Sequence, residues 1–264
     1  MKVFAISDVH SFYTIMKETL DKAGFEQNNP EHLLVVCGDC FDRGLESYEV
    51  LKYLMSIDNK VIIKGNHDIL FDDLVDRGYP KSHDKHNGTI NTVIQLGRLN
   101  DEDPYHEFDI ICQNANNRLA EYKNQLVNYF ETENYIFVHS WIPTKYECRD
   151  GSDIWGIPQG KVLYDPDWRK APEVSWEEAM WGNPFTLAKL GLNKTGKTIV
   201  FGHFHTSWAH ARDKGVSEFG DDAIWDIYRN EKQKIIGLDR CTYYTGEMNV
   251  LLLEDDLMKG KNND

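Results

Sequence analysis

The chain has 264 residues, 41% of them apolar and 27% charged, with a formal charge of −14 at pH 7. That balance supports a sizeable core, and the acidic excess argues against a nucleic-acid backbone as partner, which would need a basic stripe. No apolar run reaches membrane-spanning length, and the first seven residues are too short for a signal-peptide core; the five cysteines, at 37, 40, 112, 148 and 241, fit reduced thiols. A cytoplasmic protein without a membrane partner is expected.

Five apolar runs punctuate the chain: Val3 to His10, Leu33 to Gly44, Val61 to Asp68, Tyr135 to Ser140 and Thr198 to His205. Each opens with β-branched or apolar residues and turns polar where the strand runs out. Between them, apolar residues at three- and four-residue spacing predict helices over Phe12 to Ala23, Glu46 to Ile57, Asp68 to Asp76, Thr89 to Leu96 and Asn116 to Phe130. Strand, helix, strand is the βαβ signature. Thr144 to Trp181, with four Trp, and Thr206 to Gln233, with two more, break the alternation and are expected as long loops near the mouth of a site. Lys234 to Asp239 and Asn249 to Asp255 read as closing strands, and the tail from Lys259 as disordered. The candidate site residues span positions 8 to 205, so one domain over 1–264 is expected, since a division would split them.

The ends of the five runs carry Asp8 and His10, Asp39 and Asp42, Asn66 and His67, His139, and His203 and His205. Ligands of open α/β sheets sit outside the carboxyl ends of the strands, so these residues predict one shared polar site. Taken singly the motifs are weak: an Asp-x-His is usually a capped turn, and Gly-Asn-His-Asp could be a helix cap. Their joint order at strand ends is not. Carboxylates, imidazoles and an amide, with no thiolate required, suit two divalent ions such as manganese or iron better than a structural zinc. A shared carboxylate can hold two such ions a few ångströms apart, where they acidify a bridging water for attack on a phosphoester.

In order, Asp8-Val-His10, Gly38-Asp39-Cys-Phe-Asp42-Arg43-Gly44, Gly65-Asn66-His67-Asp68, Val138-His139 and Gly202-His203 resemble the motif set of the calcineurin-like metallophosphoesterases, from about residue 2 to 255. Asp-Arg-Gly marks the phosphoprotein phosphatase branch, which includes diadenosine tetraphosphate hydrolases. The resemblance implies a sandwich of mixed β-sheets flanked by helices, with a dinuclear centre at the strand ends. It implies that Asp8 and His10 bind the first ion, that Asp39 bridges, and that Asn66, His139 and His203 bind the second, with manganese expected and iron or zinc as alternatives. It also implies His67 as general acid oriented by Asp42, a bridging hydroxide as nucleophile, and Arg43 with Asn66 and His139 around the phosphate.

The chain departs from that pattern in three places. His139-Ser140-Trp141 stands where His-Gly-Gly is usual, Gly202-His203-Phe204-His205 where Gly-His-Thr-Pro is usual, and no second phosphate-binding Arg lies near Asn183. On an extended strand His203 and His205 would project to one side, so His205 is expected to complete the first ion's ligands. The leading expectation is a phosphatase of the serine/threonine type, acting on a phosphorylated protein or small phosphoester. The alternative is a dinucleoside polyphosphate or other nucleotide hydrolase, and a non-catalytic scaffold is remote because no ligand is eroded. Gly191 to Thr198 matches a nucleotide-phosphate loop in letters only, since it follows helix-like sequence and precedes a strand. Cys37-x-x-Cys40 has redox spacing but sits inside the metal motif, and the glycosylation sequon ending at Thr89 applies only to secreted chains.

Overall fold

The computed structural model describes residues 1–98, 107–149, 160–226 and 234–254. In chain order the elements are β1 (Lys2–Ile6), α1 (Tyr13–Lys22), β2 (His32–Val36), α2 (Ser47–Ser56), β3 (Lys60–Ile63), α3 (Asn66–Arg77), α4 (Ser82–Asn87), α5 (Thr89–Gly97) and α6 (Phe108–Lys123). There follow β4 (Leu126–Val127), β5 (Phe130–Glu131), β6 (Tyr135–Phe137), β7 (Thr144–Arg149), β8 (Gly160–Tyr164), α7 (Glu173–Met180), α8 (Pro184–Lys189), β9 (Thr198–Phe201), α9 (Thr206–Lys214), β10 (Ile235–Gly237), α10 (Thr242–Thr245) and β11 (Leu251–Glu254).

Two mixed sheets face each other. The first has the order β11-β1-β2-β3-β4, parallel except for β11, and the second β10-β9-β6-β5, parallel except for β5. Alternation along each strand sorts the apolar residues into layers. Val3, Ala5, Leu33 and Val35 meet Phe137 and Val200 between the sheets. Phe4, Ile6, Leu34 and Val36 turn outward onto Met16 of α1, Leu54 of α2 and Leu74 of α3. On the other outer face Ile136, Ile199 and Phe201 pack on Trp176 of α7 and Phe185 of α8. The result is helix, sheet, sheet, helix, with strands buried on both faces, which is why the runs read as continuously apolar.

The first three predicted helices and Thr89 to Leu96 match α1, α2, α3 and α5 to within two residues at each end. The predicted helix Asn116 to Phe130 is a correction: α6 runs from Phe108 to Lys123, and residues 126–131 cross from one sheet to the other as the edge strands β4 and β5. The two stretches expected as loops also carry regular structure. Thr144 to Trp181 contains the β7–β8 hairpin and α7, and Thr206 to Gln233 begins with α9. Their tryptophans mostly build core: Trp168, Trp176 and Trp225 are at most 3% exposed, and Tyr129 stacks on Trp176 with ring centroids 5.2 Å apart. Trp155 and the tail from Lys259 lie outside the described residues. Gly191 to Thr198 lies between α8 and β9, the reverse of a phosphate loop, and Asn193 ties it down by donating to the carbonyls of Lys197 and Lys234.

Glu131 of β5 clasps that side of the molecule. It accepts from Arg169 at 2.6 and 2.8 Å and faces Lys197 Nζ at 2.8 Å. The Arg169 guanidinium, seconded by Lys197 against the opposing effect of burial, holds the carboxyl down at about 2 from its ordinary 4.5. A depressed carboxyl pKa contributes stability above the unfolded value, and that contribution is lost as pH falls from about 4.5 toward 2. Glu131→Gln is expected to cost about 1 kcal/mol at neutral pH, a value reduced for the exposed partners. Melting temperatures across pH check this: the gap to wild type should be constant above pH 5, shrink below about pH 4.5 and close only near pH 2, and a gap that persists at pH 2 would refute it.

Candidate metal centre

Every site residue anticipated from sequence follows the carboxyl end of a strand. Asp8 and His10 follow β1, Asp39, Asp42 and Arg43 follow β2, Asn66 and His67 open α3 after β3, His139 follows β6, and His203 and His205 follow β9. The backbone there is unusual. Asp8, His10, Asp39, Asp42, Arg43 and His203 all have φ between 48° and 74°, a left-handed conformation that costs a side-chain-bearing residue free energy and concentrates at functional sites. The motif glycines supply clearance. A Cβ on Gly65 would stand 2.1 Å from Asp39 Oδ1, and one on Gly202 2.2 Å from Asp8 Oδ2. Gly38 needs both room and freedom: its φ is +86°, and a Cβ would stand 2.3 Å from His139 Nδ1.

Asp39 is the hub. It belongs to two groups of possible ligand atoms, one with His10 and His67, the other with His139 and His203, each within 4.8 Å of one another. On one side Asp39 Oδ2 lies 3.9 Å from His10 Nε2, which lies 3.8 Å from Asp8 Oδ1. On the other, Asp39 Oδ1 lies 3.4 Å from His139 Nε2, and Asn66 Oδ1 lies 2.7 Å from His139 Nε2 and 3.0 Å from His203 Nδ1. Neighbouring donors around an octahedral ion bound at about 2.1 Å are about 3 Å apart, so this donor set fits small divalent cations. The second contacts fit as well. His10 Nδ1 donates to the Phe41 carbonyl and His139 Nδ1 to the Cys37 carbonyl, both at 2.9 Å, which leaves Nε2 of each ring toward Asp39. Burial, with His67 beside it, pushes His10 down to about 3; burial and His139 do the same to His203, favouring the neutral rings that metals require.

His67 is different. Burial opposes its charge, but Asp39 and Asp42 outweigh it and raise its pKa. Its Nδ1 donates to Asp42 Oδ2 at 2.7 Å, and its Nε2 faces the cavity 3.9 Å from Asp39 Oδ2. Geometry alone would admit His67 as a ligand, but a ring whose Nδ1 is committed to Asp42 and whose pKa is raised there suits proton donation. Asp68, one residue on, accepts from the Gly65 N–H at 2.8 Å and secures the first turn of α3.

His10, Asp39, Asn66, His67, His203 and His205 line a cavity of about 380 Å³ with Asn87, Trp181, Asp239, Cys241 and Tyr243, and Arg43 is its one fixed cation among the described residues. A larger cleft of about 650 Å³ lies at the sheet edge, but its Lys64, Lys123 and Arg169 already pair with Glu173, Asp72 and Glu131. Asp239, at the end of β10, is 6% exposed, and it was missed from sequence although its strand was recognised. A carboxylate at the end of a sixth strand was the available signal. His205 stands outside both ligand groups. The strand stops at Phe201, His203 turns left-handed with φ 66°, and His205 becomes the N-cap of α9, so the extended backbone assumed for Gly-His-x-His is absent. Its Nδ1 bonds Ser207 Oγ at 2.7 Å, and its Nε2 lies 3.3 Å from Glu218. Cys37 and Cys40 are buried, and burial pushes both thiols up, so they are packing residues and not a redox pair.

Comparison with known proteins agrees with this architecture. A bis(5'-nucleosyl)-tetraphosphatase, symmetrical, of Buchnera aphidicola is 41% identical over 70 residues, 26% of this chain and 25% of the relative. One of Coxiella burnetii is 32% identical over 93 residues, 35% of this chain and 30% of the relative, so the matches span about a quarter to a third of those proteins. A cold-active protein-tyrosine phosphatase of a psychrophilic Shewanella superposes with a TM-score of 0.51 over 96% of this chain and 75% of its own at 15% identity, a likeness of fold. The profile of the family described as calcineurin-like phosphoesterase matches residues 1–236, a span that takes in all five site-bearing strand ends. With that span and this centre, the chain belongs to the calcineurin-like phosphoesterase family and is a hydrolase.

Proposed function

We propose that this metallophosphoesterase holds two divalent ions astride Asp39 and cleaves a dinucleoside polyphosphate or a related nucleotide phosphoester. Asp8, His10 and Asp39 hold the first ion and Asp39, Asn66, His139 and His203 the second. His205 joins the first only by leaving Ser207 and Glu218. Manganese suits this oxygen and nitrogen donor set, with iron or zinc as alternatives. When bound, the two ions supply Lewis acidity and acidify a water at neutral pH.

The side chains do the rest. Arg43 offers its guanidinium to phosphoryl oxygens, and its Nε is buried without a hydrogen-bond partner, as a group awaiting an anion would be. His67 delivers its Nε2 proton to the leaving oxygen while Asp42 holds the opposite nitrogen. The observation that carries the nucleotide reading is the aromatic rim. Trp181 and Tyr243 line the cavity yet are 43% and 61% exposed, and flat exposed rings beside a phosphate site can stack on bases. The names of the sequence relatives support the same substrate class. A phosphoprotein is the second reading, favoured by the lone Arg43, because a phosphomonoester carries less charge to neutralise than a polyphosphate chain.

A panel of diadenosine tetraphosphate, phosphopeptides and nitrophenyl phosphate with manganese decides between them. The nucleotide is expected to have the highest kcat/KM, and a preference for phosphopeptides would reverse the assignment. Asp39→Asn should lower bound metal from two ions per chain to one or none by elemental analysis, abolishing activity; retention of both ions would exclude a bridging role. His67→Asn should keep both ions and lower kcat by about 10²- to 10⁴-fold. That loss should be larger for alkyl than for nitrophenyl phosphates, and equal losses would argue against His67 as the acid.

A further inference from the structure

Helix α5 grips the loop after β2 through one face. Thr89, Thr92 and Gln95 recur at three-residue spacing, so their side chains align toward residues 42–47. Thr89 Oγ1 donates to Asp42 Oδ2 at 2.7 Å, and Thr92 Oγ1 donates to Asp42 Oδ1 at 2.7 Å. Thr92 Oγ1 also accepts from the Asp42 N–H at 3.0 Å, which closes a ring between backbone and carboxylate of one residue. Gln95 completes the grip, accepting from Ser47 N at 2.9 Å and donating to the Gly44 carbonyl at 3.2 Å. Both threonines are fully buried, so no solvent competes for these protons.

On the reading of His67 as acid, we infer that Thr89 and Thr92 are positioning residues that fix the Asp42 carboxylate in the one orientation that receives His67 Nδ1–H. A carboxylate offers about four acceptor positions. His67, Thr89 and Thr92 take three of them, two on Oδ2 and one on Oδ1. Because the Thr92 hydroxyl already accepts from the Asp42 N–H, its own proton is left for Oδ1, and the carboxylate plane is set relative to its own backbone. Asp42 has φ 74°, where few side-chain orientations are free of clashes, so the threonines select one. The helix holds its register because a Cβ on Gly88, just before Thr89, would stand 2.4 Å from Arg43 N: α5 is seated directly on the Asp42-Arg43 backbone. Neither threonine touches the ligand groups, so metal binding should be indifferent to them.

The test uses Thr89→Val, Thr92→Val and their double variant, which keep shape and remove the donors, with Thr→Ser at each position. Each Val variant is expected to lower kcat roughly tenfold and the double roughly a hundredfold, the range for partners of partners in a site. KM and metal content should stay within twofold, the loss should be larger for alkyl than for nitrophenyl phosphates, and Ser should restore activity to within about threefold. Independently of turnover, the Nδ1 proton resonance of His67, identified by its disappearance in His67→Asn, should shift in the double Val variant and return with Ser. If the double variant does not fold, Thr89→Val alone carries the comparison, since its hydroxyl meets only the carboxylate. Val variants with wild-type kcat, or with equal losses on both substrates while His67→Asn discriminates between them, would overturn this inference alone. Absence of metal-dependent hydrolysis in the wild type would overturn it together with the proposed function.

Discussion

Four carboxylates converge under the cavity, and the rest of the molecule is arranged around that convergence. Asp8, Asp39, Asp42 and Asp239 are each at most 6% exposed, and among the described residues lining the cavity only Arg43 is a fixed cation. Burying an ionised carboxylate costs several kcal/mol unless it is paired. Asp42 is satisfied by hydrogen bonds, but Asp8 is pushed well above the usual carboxylate range by burial and then by Asp239 and Asp39. Burial acts against Asp39 as well, but the rings of His139 and His67 beside it outweigh that and keep its carboxyl low. The divalent cations proposed on either side of Asp39 would answer this frustration directly. A site so composed trades folding free energy for affinity toward cations.

The same convergence explains the strained backbone. To aim short side chains such as Asp at a common point, the chain must turn sharply as each strand ends, and six site residues do so with positive φ. Each such residue costs about 1–3 kcal/mol, which only a rigid scaffold can sustain. Here the scaffold is a pair of sheets buried on both faces, with His203 N bonded to Asp8 Oδ2 at 3.0 Å as a strut from one sheet to the other. Helix α3 places Asn66 and His67 side by side in its first turn, and α5 fixes Asp42 through Thr89 and Thr92, so the candidate acid shares one support with a candidate metal donor and takes its orientation from another.

Much of this was legible in the sequence because the signals were local. A run such as Leu33 to Val36 is a strand buried on both faces, and the polar residues after it can only lie beyond its carboxyl end. What escaped depended on contacts between distant positions. Thr89 and Thr92 look like ordinary polar residues of a helix, and their role appears only once α5 lies against Asp42, 47 and 50 residues earlier. The tryptophans near α7 and α9 were expected on loops at the mouth of a site because their partners, Tyr129 and Phe185, come from other parts of the chain. His205 was expected among the first ion's ligands because two-residue periodicity was carried past the point where the strand ends. The start of α6 was missed because its apolar residues are not confined to one face: Ile110 is 38% exposed beside the buried Ile111 and Cys112, which blurs the apolar stripe.

Anomalous diffraction from crystals soaked in manganese addresses the centre most directly. The account predicts two peaks roughly 3.5–4 Å apart with one Asp39 oxygen facing each or one oxygen between them, the separation usual for paired ions in phosphoester hydrolysis. A single peak, or two ions that do not share Asp39, would contradict it.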